Sequence, residues 1–174
     1  RVQTVTDIKT QLKNPNKVSI FLDSKYAFSL TIAQLTDFPE LKLNAELTAS
    51  QVKGFKKLSS FTNLYLNLLN LIYRRPRSEK EIRDKLRLKK LEPEETEDLI
   101  AKLKSQNHLN DTNFATWWVQ SRKSSKPISS LKLKAELAQK GIAADIISTV
   151  LEQEFNSTDE LNSLLNLISK KRDK

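Results

Sequence analysis

Apolar and polar positions alternate along the first part of the chain. Val18, Ile20 and Leu22 share one face, and Tyr26, Phe28 and Leu30 repeat the pattern after Asp23-Ser24-Lys25. A two-residue period in β-branched and aromatic side chains predicts a hairpin. The earlier run 5–12 predicts a further strand, joined to the hairpin through a turn at Asn14-Pro15-Asn16. Three strands with one apolar face form a small sheet that needs cover, and the segment 32–43 is read as that cover.

From Thr48 the period becomes helical and stays so. Thr48…Gln51, Ser78…Glu81 and Ser157…Glu160 have capping-box spacing, in which a hydroxyl takes the N3 amide and the later side chain reaches back. Pro93 with acids behind it suits a first helical turn. Asn110-Asp111 offers another N-cap, Pro127 opens a helix, and Gly141 ends one. The expected helices are 49–75 (which Ser59-Ser60 could interrupt), 78–91, 94–106, 111–123, 128–140, 143–155 and 158–171.

These helices repeat. Ile82 and Leu86 recur 51 positions later as Leu133 and Leu137, Phe114-Ala115 recurs 50 later as Leu164-Leu165, and Arg74 and Arg122 differ by 48. A period near 50 built of three helices is a helical-repeat signature. The fold class expected is therefore mostly α: tandem three-helix repeats with a small N-terminal β-hairpin or three-stranded extension. The segments are 1–47 (the β-rich extension), 48–110 (a linking helix and the first repeat, from about 61 to 107), 111–156 (the second repeat) and 157–174 (the first helix of a third).

Composition adds a bias. The formal net charge is +9 and the pI about 9.7, which favours polyanionic partners. Residues 74–91 hold nine Lys or Arg against three acids, and 121–140 hold six against one. Between them lie Glu92, Glu94, Glu95, Glu97 and Asp98. No stretch approaches the roughly 20 apolar residues of a membrane span, and no apolar signal segment follows Arg1. With no cysteine, disulfide and thiolate chemistry are excluded, in keeping with a reducing cytoplasm. The lack of any methionine reads as a fragment.

Catalytic constellations are missing from the sequence. His108 is the one histidine, and Gly54 and Gly141 are the only glycines, so neither a metal-ligand set nor a phosphate-cradling loop can be assembled. Asp111 and the acids of 92–98 are explained by helix capping and first-turn placement. The expectation is a non-enzyme that needs no cofactor and no metal.

The basic helices carry the remaining signal. Arg83 and Arg87 each follow a buried-stripe residue by one position, about 100° around the helix and towards solvent. Arg74, Arg75 and Arg77 crowd the preceding turn. The second repeat echoes this with Arg122, Lys123 and Lys126 before a helix exposing Lys132 and Lys134. Two such surfaces suit an extended acidic partner, either a phosphate backbone or the acidic groove of a protein polymer. Trp117 and Trp118 are adjacent and cannot share one core direction. One packs inside and one between repeats, unless Trp118, a turn from Arg122, stacks on a base.

Arg75-Pro76-Arg77-Ser78-Glu79-Lys80-Glu81-Ile82-Arg83-Asp84-Lys85-Leu86 resembles the opening motif of the RecX family, an arginine pair and Ser ahead of a Leu-x-x-Lys-Leu-like helix. Leu109-Asn110-Asp111 with Phe114-Ala115 and Arg122 resembles its next element. Glu136-Leu137-Ala138-Gln139-Lys140-Gly141-Ile142 is similar to its EL-x-x-KGI signature, and the Ile20–Asp23 and Tyr26–Phe28 stretches are similar to its N-terminal extension. The ordered set spans essentially the whole chain. Ile82 stands where Leu is commoner, and Lys126-Pro127-Ile128-Ser129 stands where many members have Gly.

The resemblance implies a monomeric, cytoplasmic, non-enzymatic regulator of homologous recombination, DNA repair and the SOS response. Its implied partner is the RecA filament, with single-stranded DNA inside that filament as a further contact and no membrane. Binding would inhibit recombinase, ATPase and co-protease activity, through a surface formed by Arg74, Arg75, Arg77, Arg83, Arg87, Arg122, Lys123, Lys126, Lys132 and Lys134. It further implies a complete third repeat, of which this chain carries one helix. The alternative is direct DNA binding, with basic helices on phosphates.

Overall fold

The structure, a computed structural model, describes residues 1–172. The chain divides into two compact units, Arg1–Asn67 and the residues from Leu68 onward.

The first unit is an antiparallel sheet of β1 (Val2–Gln11), β2 (Asn14–Leu22), β3 (Lys25–Thr31) and β4 (Glu46–Thr48), in the order β3-β2-β1-β4. Alternation sets its inner face. Val18, Ile20 and Leu22 are buried against Val5, Phe28 and Leu30, and Leu41, Leu47, Val52 and Phe55 close the core. The first three strands match expectation, whereas β4, at three residues, is too short to show a period. The segment 32–43 contains α1 (Ile32–Asp37), started by a capping box between Thr31 and Gln34.

Both turns differ from expectation. The β1–β2 turn is Leu12-Lys13, and Asn14, Pro15 and Asn16 lie within β2. Pro15 is tolerated there because β3 pairs with β2 only from Lys17, so the missing N–H interrupts no ladder bond with β3. The β2–β3 turn has two residues, Asp23 and Ser24, both at positive φ (47° and 67°), as a tight hairpin turn requires.

Tyr26 does not join Phe28 and Leu30. Ile20 pairs with Phe28 but Phe21 pairs with Tyr26, leaving Ala27 as an extra residue. This bulge reverses the facing of everything before it. Ala27 packs on the core and Tyr26 is 57% exposed.

α2 (Ala49–Arg74) is unbroken at Ser59-Ser60. Buried Ser59 accepts the backbone N–H of Ser29 at 3.1 Å, so the serine is a docking point on β3 rather than a break.

The second unit adds α3 (Glu79–Arg87), α4 (Pro93–Ser105), α5 (Asp111–Ser125), α6 (Ser130–Gln139) and α7 (Ala144–Arg172) to the end of α2. Ser78, Asn110 and Ser129 each cap a helix by accepting the N3 amide. Gly141, at φ 78°, ends α6 with a Schellman motif: its N–H donates to Ala138 and that of Ile142 to Leu137. Phe114, Ala115, Val119, Leu133, Leu137, Ile142, Ile147 and Val150 form one buried cluster.

The repeat is stricter than the sequence suggested. Arg74 and Ser125 end helices, while Glu79 and Ser130, and Pro93 and Ala144, begin them, each pair 51 positions apart. In that register Arg122 corresponds to Leu71 and not to Arg74, and Phe114 corresponds to Leu165. The break expected near residue 156 is absent, because α7 continues through it. The capping box expected at Ser157…Glu160 depends on side chains that lie outside the described residues.

Candidate partner-binding surface

The acids at the start of α3 organise the cations around them. Glu81 accepts two bonds from Arg75, Nη1 to Oε2 at 3.2 Å and Nη2 to Oε1 at 3.0 Å, and a third from Lys140 Nζ at 2.8 Å. Lys80 donates to the carbonyl of Gln139 at 2.9 Å, and its stem lies where a Cβ on Gly141 would fall, 2.7 Å from Lys80 Cβ. These contacts fasten the first repeat to the end of α6.

A second knot lies beside it. Glu79 accepts Arg83 Nε at 2.8 Å and Lys104 Nζ at 2.5 Å, and its N–H donates to Asp111 Oδ1 at 2.8 Å. Arg83 also makes a bidentate pair with Glu97, at 2.6 and 3.1 Å. Within the second repeat, Glu136 takes Arg122 at 3.0 and 2.8 Å and Trp118 Nε1 at 2.9 Å.

The ionisation equilibria follow these contacts. Burial alone would raise Glu79 and Glu81, but hydrogen bonds from Lys104 and Arg83, and from Arg75 and Lys140, hold both below the ordinary glutamate range. Arg83 and Arg122 hold Glu97 and Glu136 low in the same way. Asp111 is pushed up by burial. Burial lowers Arg77, reinforced by neighbouring Arg75, and its Nε is buried without a partner.

The ten cations named from sequence therefore divide. Arg75, Arg77, Arg83, Arg122 and Lys123 are half-buried, and Lys123 donates to the carbonyl of Glu154 and lies 4.9 Å from the Phe155 ring. Arg74, Arg87, Lys126, Lys132 and Lys134 are exposed. Arg87 pairs with Asp84 at 3.3 Å, both largely in solvent. The sequence reading missed Glu79, Glu81, Glu136, Lys104 and Lys140 as the organising partners. The Glu79–Arg83 spacing of four was the available signal.

The tryptophans are spoken for. Both are half-buried around Phe114, with ring centroids 5.9 Å away. Arg75 lies 5.9 Å from Trp117, and Lys140 lies 4.9 Å from Trp118. His108 packs edge-on against Tyr73. Among the described residues no group of three His, Cys, Asp or Glu could hold a metal ion.

The 51-residue register exposes an asymmetry. Arg75 and Arg83 correspond to Lys126 and Lys134. Their acids Glu79, Glu81 and Glu97 correspond to Ser130, Lys132 and Ser148. The second repeat thus keeps the cation positions and lacks the carboxylates that neutralise them in the first.

Three family models match the chain: the regulatory protein RecX N-terminal domain over residues 3–46, the RecX first three-helix domain over 65–103 and the RecX second three-helix domain over 110–151. The regulatory protein RecX of Clostridium beijerinckii is 33% identical over 147 residues, covering 84% of this chain and 68% of that protein. That of Bacillus subtilis is 33% identical over 172 residues, covering 98% and 64%. That of Listeria welshimeri is 30% identical over 159 residues, and the chain spans only 58% of its length. A crystal structure of a regulatory protein RecX superposes with a TM-score of 0.71 at 24% identity, over 99% of this chain and 85% of the other, which speaks to the fold alone. With two three-helix domains and the N-terminal domain all matched in order, the chain belongs to the RecX regulatory-protein family.

Proposed function

We propose that the protein binds the RecA filament on single-stranded DNA and restrains its recombinase, ATPase and co-protease activities without chemistry of its own. The observation that supports this most is that the second repeat keeps cations at positions which the first repeat pairs with carboxylates. Lys126 and Lys134 occupy positions whose first-repeat counterparts, Arg75 and Arg83, are tied to glutamates, and Lys132 stands where the first repeat has Glu81 itself. Cations already held by a carboxylate have little attraction left for a partner, whereas free ones can engage an acidic groove. The exposed Arg74 and Arg87, the latter paired with Asp84 in solvent, and the half-buried Arg75, Arg77, Arg83, Arg122 and Lys123 complete the proposed surface. Preferential binding to one filament state then shifts the filament's equilibrium with no covalent step.

On this reading the protein works as a monomer in the cytoplasm. Among the described residues no helix is long and apolar enough to cross a membrane.

The test is the triple variant Lys126→Glu, Lys132→Glu, Lys134→Glu, assayed for inhibition of RecA ATP turnover on single-stranded DNA. Loss of inhibition with unchanged helicity and urea midpoint supports the assignment. Inhibition at wild-type concentration sinks it. Salt-steep affinity for bare duplex, with RecA turnover untouched by the wild-type chain, would assign the same cations to phosphate instead.

A further inference from the structure

A cavity of about 530 Å³ opens at one end of the N-terminal sheet, and its lining includes none of the ten cations assigned to the partner surface. Arg1, Asp23, Lys25, Tyr26 and Lys56 contribute its polar lining. Three observations single it out.

The first is an aromatic in an unusual place. The Ala27 bulge turns Tyr26 off the core face and leaves it 57% exposed at the cavity. Its ring is braced edge-on by Phe21, with centroids 6.1 Å apart.

The second is charge. Three cations face one acid across the lining. No Asp or Glu occurs from residue 47 to residue 78, so Lys53, Lys56 and Lys57 have no acid near them along α2, and all three are exposed. Helix surfaces in soluble proteins ordinarily intersperse the two signs.

The third is a fixed frame. Asp23 accepts the Thr4 N–H at 3.0 Å and Gln3 Nε2 at 3.3 Å, and the Ser24 N–H donates to Thr6 Oγ1 at 2.9 Å. Asp23 is thereby directed at β1, its charge set against that of Arg1, and the turn that presents Lys25 and Tyr26 is tied to the same strand.

We propose that this cavity is a contact for single-stranded nucleic acid, in which Tyr26 stacks on one base while Lys25 and Lys56 neutralise flanking phosphates. An exposed aromatic beside cations is the arrangement that binds unpaired strands without regard to sequence. An acidic peptide would use the lysines and leave the ring idle. A duplex offers no free base face to stack on. Lys53 and Lys57 carry the charge beyond the cavity, which suits a strand running past it better than a free nucleotide. This inference does not rest on the RecA reading.

The experiment is anisotropy of a labelled oligo-dT titrated with the full chain over a salt series, without RecA. Tyr26→Ala should weaken binding about tenfold and leave the salt slope unchanged, while Tyr26→Phe should bind as the wild type does. Lys25→Ala with Lys56→Ala should make the slope shallower by about 1.4, at roughly 0.7 per neutralised phosphate on a single strand. A 5-iodo-deoxyuridine oligomer should photocrosslink to the peptide holding Tyr26. Wild-type affinity in Tyr26→Ala, equal binding of an abasic oligomer, or crosslinks confined to α6 would overturn the proposal. None of these results bears on RecA inhibition, so the two readings can fail separately.

Discussion

Lys140 places its ammonium 2.8 Å from Glu81 Oε1, across 59 residues of sequence. The same carboxylate holds Arg75 in a bidentate grip, so one side chain joins the entry to α3 with the exit from α6. With Glu81 only 18% exposed, the pairing is shielded more than a surface ion pair. Glu81→Gln should cost about 1–2 kcal/mol, since two cations lose a charged acceptor. A double-mutant cycle with Lys140→Met, followed by urea unfolding, should return a coupling of about 0.5–1 kcal/mol. Strict additivity would show that the contact contributes nothing.

Acid should loosen the second unit in a definite window. Glu79, Glu81, Glu97 and Glu136 are held below their ordinary range when folded. Between the folded and unfolded values the unfolded chain binds more protons, so stability is complete above the unfolded value, near 4.5, and is lost as pH falls through the folded ones. Asp111, raised by burial, acts in the opposite sense and offsets part of this. Urea midpoints measured from pH 6 to pH 3 should fall, and Glu81→Gln should flatten the curve.

Lys90 stands at φ 53°, the position that Gly141 holds at φ 78° in the second repeat. A side chain there is strained by roughly 1–2 kcal/mol, partly balanced by the extra unfolded-state freedom of glycine. Lys90→Gly should therefore stabilise the protein by about 0.5–1 kcal/mol in thermal or urea unfolding.

The reverse change, Gly141→Ala, meets both the left-handed backbone and the Lys80 stem. Because Lys80 Cβ is fixed to the α3 backbone, the contact cannot be relieved by a rotamer. A loss of about 2 kcal/mol or more is expected, and a midpoint like the wild type's would show that the junction yields.

Arg83 and Arg87 look alike in sequence and should behave differently. Arg83→Glu sets a third carboxylate beside Glu79 and Glu97 and should cost about 1–2 kcal/mol after allowing for partial solvent screening. Arg87→Glu removes only a solvent-exposed pair with Asp84 and should leave the urea midpoint within about 0.5 kcal/mol of the wild type.

Strong periodicity was legible in the sequence. The alternation of Val18, Ile20 and Leu22, the stripe of Ile82 and Leu86, and the caps at Ser78 and Asn110 all stand where pattern placed them. The bulge at Ala27 was not legible, since one extra residue inside a strand leaves the composition untouched and only pairing reveals it. The fate of the cations was half-legible. Charge density marked the right helices, but pairs such as Glu81–Lys140 join residues far apart in sequence, and no local spacing announces them. The turn at Leu12-Lys13 was hidden because Asn14-Pro15-Asn16 is the stronger turn signal, and β2 accepts a proline only because its partner starts late.

The continuity of α7 gives the two repeat boundaries different mechanical characters. After α4 the chain turns through Asn107 at φ 56° before α5 begins. At the corresponding place 51 residues on, the backbone stays helical. The first boundary is a joint, where a nick or an insertion could be absorbed. The second has no seam. A load applied at the exposed Leu161, Leu165 and Ile168 is carried by unbroken helix to Val150 and Ile147, and so to the core under α6.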